Sequence, residues 1–182
     1  MIQLSRRAAL AFVLPAAAAI AGCQTQASSA SAGGDMNDAD LDFVANAQNI
    51  ITFDREECML AQTQAQTPAV RALAVKLLAD ANAFDARLQP ILQETGIKPP
   101  SVLRSDLRVR LGRMRLDRGL DFDRTFINDQ IQTHEEIISR QEMMASGATR
   151  NPKITQLAKA GAEILKRNLA ELRALQRRMM SA

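Results

Sequence analysis

Apolar residues recur along most of the chain with the three-and-four spacing of an amphipathic α-helix. Four long stretches show this pattern, at about 39–65, 68–95, 121–147 and from 152 almost to the C-terminus. No stretch alternates with the period of two that is typical of half-buried strands. The pattern therefore predicts an all-α protein in which four helices bury their apolar faces against one another.

Residues that start or stop helices separate the four stretches. Thr67-Pro68 and Asn151-Pro152 each predict an N-cap followed by Pro at the first helical position, and three aspartates between 38 and 42 suit a helix N-terminus. Gly96 and Gly147 follow the ends of the second and third helices. Residues 101–120 predict a partly helical crossover between these two, so the folded domain should span residues 38–182.

Three polar residues interrupt the apolar faces, each on a different helix: Asp54, His134 and Asn168. With Glu57 one turn beyond Asp54, they are candidate metal ligands inside the bundle. A di-iron site would need two Glu-x-x-His pairs, but Ile131 stands three residues before His134 and the chain has no second histidine. The favoured interpretation is a buried polar network in which His134 hydrogen-bonds Asp54 or Asn168.

Other chemically reactive side chains have simple structural interpretations. Cys58 lies on the apolar face of the first helix and is expected to be a small apolar filler rather than a reactive thiol. Glu56-Glu57 and Glu135-Glu136 are adjacent pairs, whose side chains point about 100° apart on a helix. They are expected to lie on solvated faces rather than to form pairs of catalytic carboxylates.

The N-terminus has the features of an export signal. A positive Ser5-Arg6-Arg7 precedes an apolar run over 8–22, which is too short for a membrane span. Ile20-Ala21-Gly22-Cys23 resembles the lipobox of bacterial lipoproteins, which predicts a signal peptide over 1–22 and lipidation of Cys23. The alternative is a core cysteine after an ordinary signal peptide. Export by the Sec or the twin-arginine route, and a flexible tether over 23–37, are expected.

Composition excludes several classes of function. The net charge of +3 and the 3% aromatic content do not favour a nucleic-acid binder. One His and two Cys are too few for a zinc cluster or a disulfide framework. There is no phosphate-binding glycine loop, nucleophile elbow or HExxH motif, so enzymatic activity is not expected.

The predicted crossover carries the main charge asymmetry of the chain. Leucines and methionines interleave with its arginines, so one side of the segment is expected to pack on the bundle. Its basic side is either a contact with anionic headgroups or an envelope polymer, or a solvated face paired with acidic helix starts. The candidate contact residues are Arg104, Arg108, Arg110, Arg113, Arg115 and Arg118.

Over residues 40–178 the chain resembles the bacterial domain of unknown function numbered 4142, a ferritin-like helical module of exported proteins. The resemblance rests on 67–74 leading to Leu77-Leu78-Ala79-Asp80, on 120–126, and on the distance from Asp123 to His134. It implies a histidine after the position of Asp80 and another on the last helix. This chain has Ala81 and Asn168 at those places, so the resemblance implies a degenerate metal site.

Taken together, the sequence predicts a ferritin-like up-down four-helix bundle with a partly helical crossover between its second and third helices. Gln24 after the lipidation site is similar to the pattern of lipoproteins sent to the outer membrane. We therefore expect a lipid-anchored envelope protein, facing the periplasm, that acts as a binding or structural module without a cofactor. The alternative is a metal-binding redox or storage protein with a site around His134.

Overall fold

A computed structural model describes residues 36–98 and 100–181 and confirms the predicted all-α fold. The helices in these ranges are α1 (Asp38–Gln64), α2 (Pro68–Thr95), α3 (Ser105–Met114), α4 (Gly119–Met143) and α5 (Pro152–Met180). A single π-helical turn, Met144–Ala148, extends α4. The predicted signal peptide, the lipidation site and most of the predicted tether lie outside the described residues.

Local signals account for the start of α1 and for both ends of the α4–α5 connection. Asn37 and Asp40 form a reciprocal capping box, in which each side chain accepts the backbone N–H of the other. Gly147 adopts a φ of 125°, a conformation that few other residues reach, and ends the π-helical turn. The Asn151 side chain then accepts the backbone N–H groups of Lys153 and Ile154, as expected of an N-cap before Pro152.

The start of α2 differs from the prediction. Thr67 stands at the N-cap, but its hydroxyl is buried and has no hydrogen-bond partner among the described residues. Asp123, from α4, accepts the backbone N–H of Gln66 at 2.8 Å and that of Thr67 at 2.9 Å. The expectation that Thr67 caps this helix is therefore wrong, because a carboxylate distant in sequence reaches the same backbone donors.

Side-chain pairs define the topology of the bundle. Gln48 and Arg55 of α1 pair with Asp85 of α2. On the other hairpin, α4 and α5 are joined by a bond from Gln176 to Asn128 and by ion pairs of Arg173 with Glu135 and Lys166 with Glu142. Between the hairpins, α1 packs on α4, and α2 packs on α5.

Every neighbouring pair of these four helices is antiparallel, since residue numbers fall on one helix as they rise on the next. Residues 100–118 carry the chain back along the bundle, and α3 lies over α1 and α4 on the way. One long crossover between two antiparallel hairpins is the ferritin-like arrangement that the sequence predicted.

Three apolar clusters hold the bundle together. One contains the stacked rings of Phe122 and Phe126 together with Leu172, and a second contains Phe43, Leu88 and Ile154. Under α3, a third cluster joins Phe53 to Leu107 and Leu111. Within the described ranges, none of the helices is both long and apolar enough to cross a lipid bilayer.

Candidate functional site

A partly open cavity of about 60 Å³ lies between α1, α2, α4 and α5. It is much smaller than the cavity of roughly 150 Å³ that holds a benzene molecule in an engineered protein, so it suits water or a ligand of a few heavy atoms. Most of its wall is aliphatic or aromatic. The polar lining residues are Asn46, Asp54, Asp80, Gln130, His134, Arg140, Gln141 and Asn168.

Small residues keep this space open and bring the helices close. Gly161 on α5 lines the cavity, and a Cβ added there would lie 2.8 Å from Gln141 Nε2 and 2.8 Å from Phe84 Cε2. Ala81 on α2, where the family resemblance implies a histidine, lines the same cavity. A larger side chain at either position would therefore enter the cavity or displace its walls.

His134 is a neutral hydrogen-bond acceptor in the cavity wall. The ring is buried, and its Nδ1 lies 2.8 Å from the backbone oxygen of Gln130, one turn back on α4. Burial lowers the pKa of His134 to about 4, so the ring is uncharged at neutral pH. A neutral ring whose Nδ1–H donates to the carbonyl leaves the Nε2 lone pair free to accept, and Nε2 has no hydrogen-bond partner among the described residues.

Asp54 lies in the same wall and titrates near neutral pH. Burial raises the pKa of this carboxyl to about 7, and the charge of Asp129 adds to the rise. A long hydrogen bond from Gln130 Nε2 to Asp54 Oδ1, at 3.4 Å, and the charge of Arg110 oppose that rise. Asp54 therefore exchanges a proton in the physiological pH range.

Asn168 is already engaged on the opposite side of the cavity. Its Oδ1 accepts a hydrogen bond from Lys76 Nζ at 2.7 Å, and Lys76 also pairs with Asp80 and Glu171. Neither Asn168 nor Asp54 is hydrogen-bonded to His134, which uses the backbone of Gln130 instead. The predicted direct bond from His134 to Asp54 or Asn168 is therefore wrong, although all three residues line one cavity.

Glu57 corrects the expectation that the Glu56-Glu57 pair is solvated. Glu57 is fully buried, and its Oε2 accepts a hydrogen bond from Gln130 Nε2 at 2.7 Å. Burial raises the pKa of Glu57 well above its usual range, and the nearby Asp129 carboxylate reinforces this. Glu57 is not among the residues that line the cavity, and its hydrogen bond connects it to the lining residue Gln130.

The proposed metal-ligand set is therefore divided. Asp54, His134 and Asn168 line the cavity, Glu57 lies behind Gln130, and the Asn168 oxygen faces an ammonium group. In the part of the chain that the structure describes, no group of three or more His, Cys, Asp or Glu side chains is arranged to hold a metal ion.

Cys58 is fully buried in the first apolar cluster and is not in a disulfide. Burial raises the pKa of its thiol far above the ordinary value, and the nearby acidic groups of Asp54 and Glu57 add to this. A thiol held in its neutral form is a poor nucleophile, which agrees with the interpretation of Cys58 as a filler. Cys23, the predicted lipidation site, lies outside the described residues.

The six crossover arginines fall into three groups, the first of which contains Arg110 alone. Arg110 is turned inward: it forms a two-bond ion pair with Asp129, donates to Thr133 and lies 4.9 Å above the Phe53 ring. Its inclusion in an anionic-surface contact is therefore wrong, because its guanidinium is used inside the protein.

Three of the other arginines bind within the chain, and two do not. Arg104 pairs with Asp106, Arg115 pairs with Glu56, and Arg118 donates to backbone oxygens. The exposed side chains of Arg108 and Arg113 have no hydrogen bond or ion pair with the described residues. Only these two remain free for an external anion.

The sequence reasoning missed Asp80 and Gln130 as lining residues. Asp80 belongs to the Leu77-Leu78-Ala79-Asp80 motif and lies one turn after the buried Leu77, so helical spacing places it beside the buried face. Gln130 lies one turn before His134 and three residues after Ile127, so helical spacing placed it beside the apolar face. A neutral amide carried no chemical signal by which to single it out.

The protein is an all-α bundle of the ferritin-like type with a small, mainly apolar cavity that has a few polar groups in its wall. The chain matches the family described as Domain of unknown function (DUF4142) over residues 25–175. The protein is therefore a member of the DUF4142 family, as the sequence resemblance indicated.

A solved structure supports the same fold. The crystal structure of a DUF305 fragment from Deinococcus radiodurans is similar, with a TM-score of 0.70 at 13% identity. The match covers 78% of this chain and 97% of that one. At this identity the likeness concerns the fold alone. No curated protein matches the sequence.

Proposed function

We propose that this protein is an exported envelope lipoprotein, anchored through Cys23, whose bundle binds a small hydrogen-bond donor in its internal cavity. The observation that carries the binding proposal is the free acceptor Nε2 of His134 in the wall of a cavity of about 60 Å³. Asp54, which titrates near pH 7, supplies a second acceptor in the same wall. Short primary amines and alcohols combine donors with the required small size.

The chemistry of the cavity wall favours a small organic molecule that donates hydrogen bonds over a metal ion. Within the described ranges no three His, Cys, Asp or Glu side chains are arranged to share one ion, whereas a molecule of several atoms can contact acceptors that lie further apart. The aliphatic and aromatic part of the wall also favours a ligand with some apolar surface. The ceiling on affinity per atom limits such a small ligand to about millimolar binding.

The single histidine provides a site-specific test. In protein labelled with ¹⁵N-histidine, titration with ethylamine or ethanol should shift the Nε2 resonance of His134 in a saturable way. Ala81→Leu, which fills the cavity, should abolish the shift, and Ala83→Leu on the exposed side of α2 should leave it unchanged. If neither compound shifts the resonance the binding proposal fails, and a shift with Zn²⁺ alone would replace it with metal binding.

The anchor is tested separately in bacterial cells that express the full chain. Incorporation of labelled palmitate should occur in the parent and in Cys58→Ser, and should disappear in Cys23→Ser. Cys58 is the matched control, because it is the only other cysteine in the sequence and is buried. Equal labelling of the parent and Cys23→Ser would overturn the lipoprotein assignment.

A further inference from the structure

Helix α3 is fixed to the bundle in one orientation. Leu107, Leu111 and Met114 are buried beneath it, and its Arg110 is held by the ion pair with Asp129. Because these residues share one side of the helix, the residues about 180° away must face solvent. We call this side the α3 outer face; it comprises Ser105, Arg108, Val109, Gly112 and Arg113, continued by Val102 and Leu116.

Three apolar side chains at the α3 outer face are more than half exposed. Val102 is 58% exposed, Val109 is 53% exposed and Leu116 is 79% exposed. Val109 lies within α3, with Arg108 and Arg113 on either side of it, whereas Val102 and Leu116 lie just outside the two ends of the helix. The remaining members, Ser105 and Gly112, are too small to cover them.

The charge of the α3 outer face is of one sign. Arg108 and Arg113 have no partner among the described residues, as shown above. The two nearby acidic residues are engaged elsewhere: Asp106 pairs with Arg104, and Asp117 accepts a hydrogen bond from Thr125. An external anion is therefore the complement of this face.

We propose that the α3 outer face lies on the anionic headgroups of a lipid bilayer. Arg108 and Arg113 bind phosphate oxygens, for which the planar guanidinium is well suited. Val102, Val109 and Leu116 enter the headgroup layer, as the apolar side chains of interfacial helices do. A protein partner fits less well, because protein interfaces are usually anchored by Trp, Tyr or other large aromatic residues and this face has none.

The proposal is independent of ligand binding in the cavity and of lipidation at Cys23. It is tested with residues 24–182, which contain every core residue and contact described above and lack the predicted signal peptide and lipid site. This chain is sedimented with vesicles of phosphatidylcholine alone or with about one-third phosphatidylglycerol, at low and high salt. Circular dichroism checks that each variant is folded.

The expected result is binding to the anionic vesicles that weakens with salt. Arg108→Gln with Arg113→Gln should reduce the partition coefficient by about 10- to 30-fold, from the usual contribution of each basic residue near an anionic surface. The matched control is the double variant Arg104→Gln with Arg115→Gln, which removes the same charge from two arginines that are paired within the chain. This control should change the partition coefficient by less than about 3-fold. Val109→Ser should weaken binding without changing the salt dependence.

Three results would overturn the proposal. Absence of binding to the anionic vesicles would remove the membrane as the partner. Equal losses in the two double variants would show that net charge, and not the α3 outer face, determines binding. Equal binding to neutral and anionic vesicles would show that Arg108 and Arg113 do not recognise headgroup charge.

Discussion

Two buried acidic regions of the bundle differ in how their carboxyl groups are satisfied. At the α1–α2 turn, Asp123 is fully buried, and each of its oxygens accepts a backbone N–H. In the middle of the bundle, Asp54 and Glu57 share the single side-chain amide of Gln130. A fully satisfied buried carboxylate stabilises the fold, whereas poorly satisfied ones retain protons and can respond to pH or to a ligand.

The largest expected effect comes from breaking the satisfied region. Asp123→Ala removes the buried carboxylate that accepts the backbone N–H groups of Gln66 and Thr67, which should lower the free energy of unfolding by about 4 kcal/mol. Urea unfolding followed by circular dichroism measures this. Asp121→Ala, which removes an exposed carboxylate two residues away at the start of α4, should change stability by less than about 0.5 kcal/mol. A loss below about 1 kcal/mol for Asp123→Ala would show that the turn is held by other contacts.

Asp54, Glu57 and His134 are linked through Gln130, and we call these four residues the polar layer. The stability of the protein should respond to acid through His134. The pKa of His134 is 6.5 in the unfolded chain and about 4 in the folded protein. The neutral ring therefore contributes fully to the free energy of unfolding above pH 6.5, and this contribution is lost as the pH falls through 4. Over this pH range the free energy of unfolding of the wild type should fall by about 3 kcal/mol more than that of His134→Gln. Unfolding by urea at pH 7 and pH 4 measures the difference. Identical losses would show that the ring is not held neutral by the fold.

Asp54 should act in the opposite direction. The pKa of Asp54 rises from 3.8 in the unfolded chain to about 7 in the folded protein, so the folded protein holds this proton more tightly. The protonated carboxyl therefore contributes fully to the free energy of unfolding below pH 3.8. This contribution is lost as the pH rises through 7. At pH 8, Asp54→Asn should be more stable than the wild type by roughly 2 kcal/mol, since partial exposure to the cavity weakens the effect. Urea unfolding at pH 5 and 8 measures it. Asp42→Asn, at an exposed site on the same helix, is the control, and the prediction fails if both variants behave alike.

The smallest expected effect returns to the satisfied region. Because the Thr67 hydroxyl has no partner and Asp123 caps the turn, Thr67→Ala should change stability by less than about 0.5 kcal/mol. An N-cap threonine that bonds its helix typically contributes about 1 kcal/mol. Thermal unfolding distinguishes the two cases, and a loss of 1 kcal/mol or more would assign the capping to Thr67 after all.

The helices could be predicted because their signals are local. Pro68, Gly96, Gly147 and Asn151-Pro152 fix the ends through backbone geometry, and the apolar spacing fixes the buried faces. The convergence of Asp54, His134 and Asn168 on one cavity followed from the same spacing.

The hydrogen-bond partners could not be predicted, since they depend on how neighbouring helices are shifted along each other. Glu56 and Glu57 are adjacent and chemically alike, yet only Glu57 is buried, at the place where α4 brings Gln130. Arg110 differs from the other crossover arginines only because Asp129 and Phe53 lie beneath it. Asp123 caps a helix that begins 55 residues before it, a relation that no local motif encodes.

The single long crossover also has a consequence for the order of folding. The most extensive helix contacts join α1 to α2 and α4 to α5, that is, helices adjacent in sequence and linked by short turns. Contacts of low sequence separation form rapidly, whereas closing the crossover between the two hairpins carries a larger entropic penalty. The hairpins are therefore expected to form early and to associate later, with the polar layer around Gln130 assembled only in that last step.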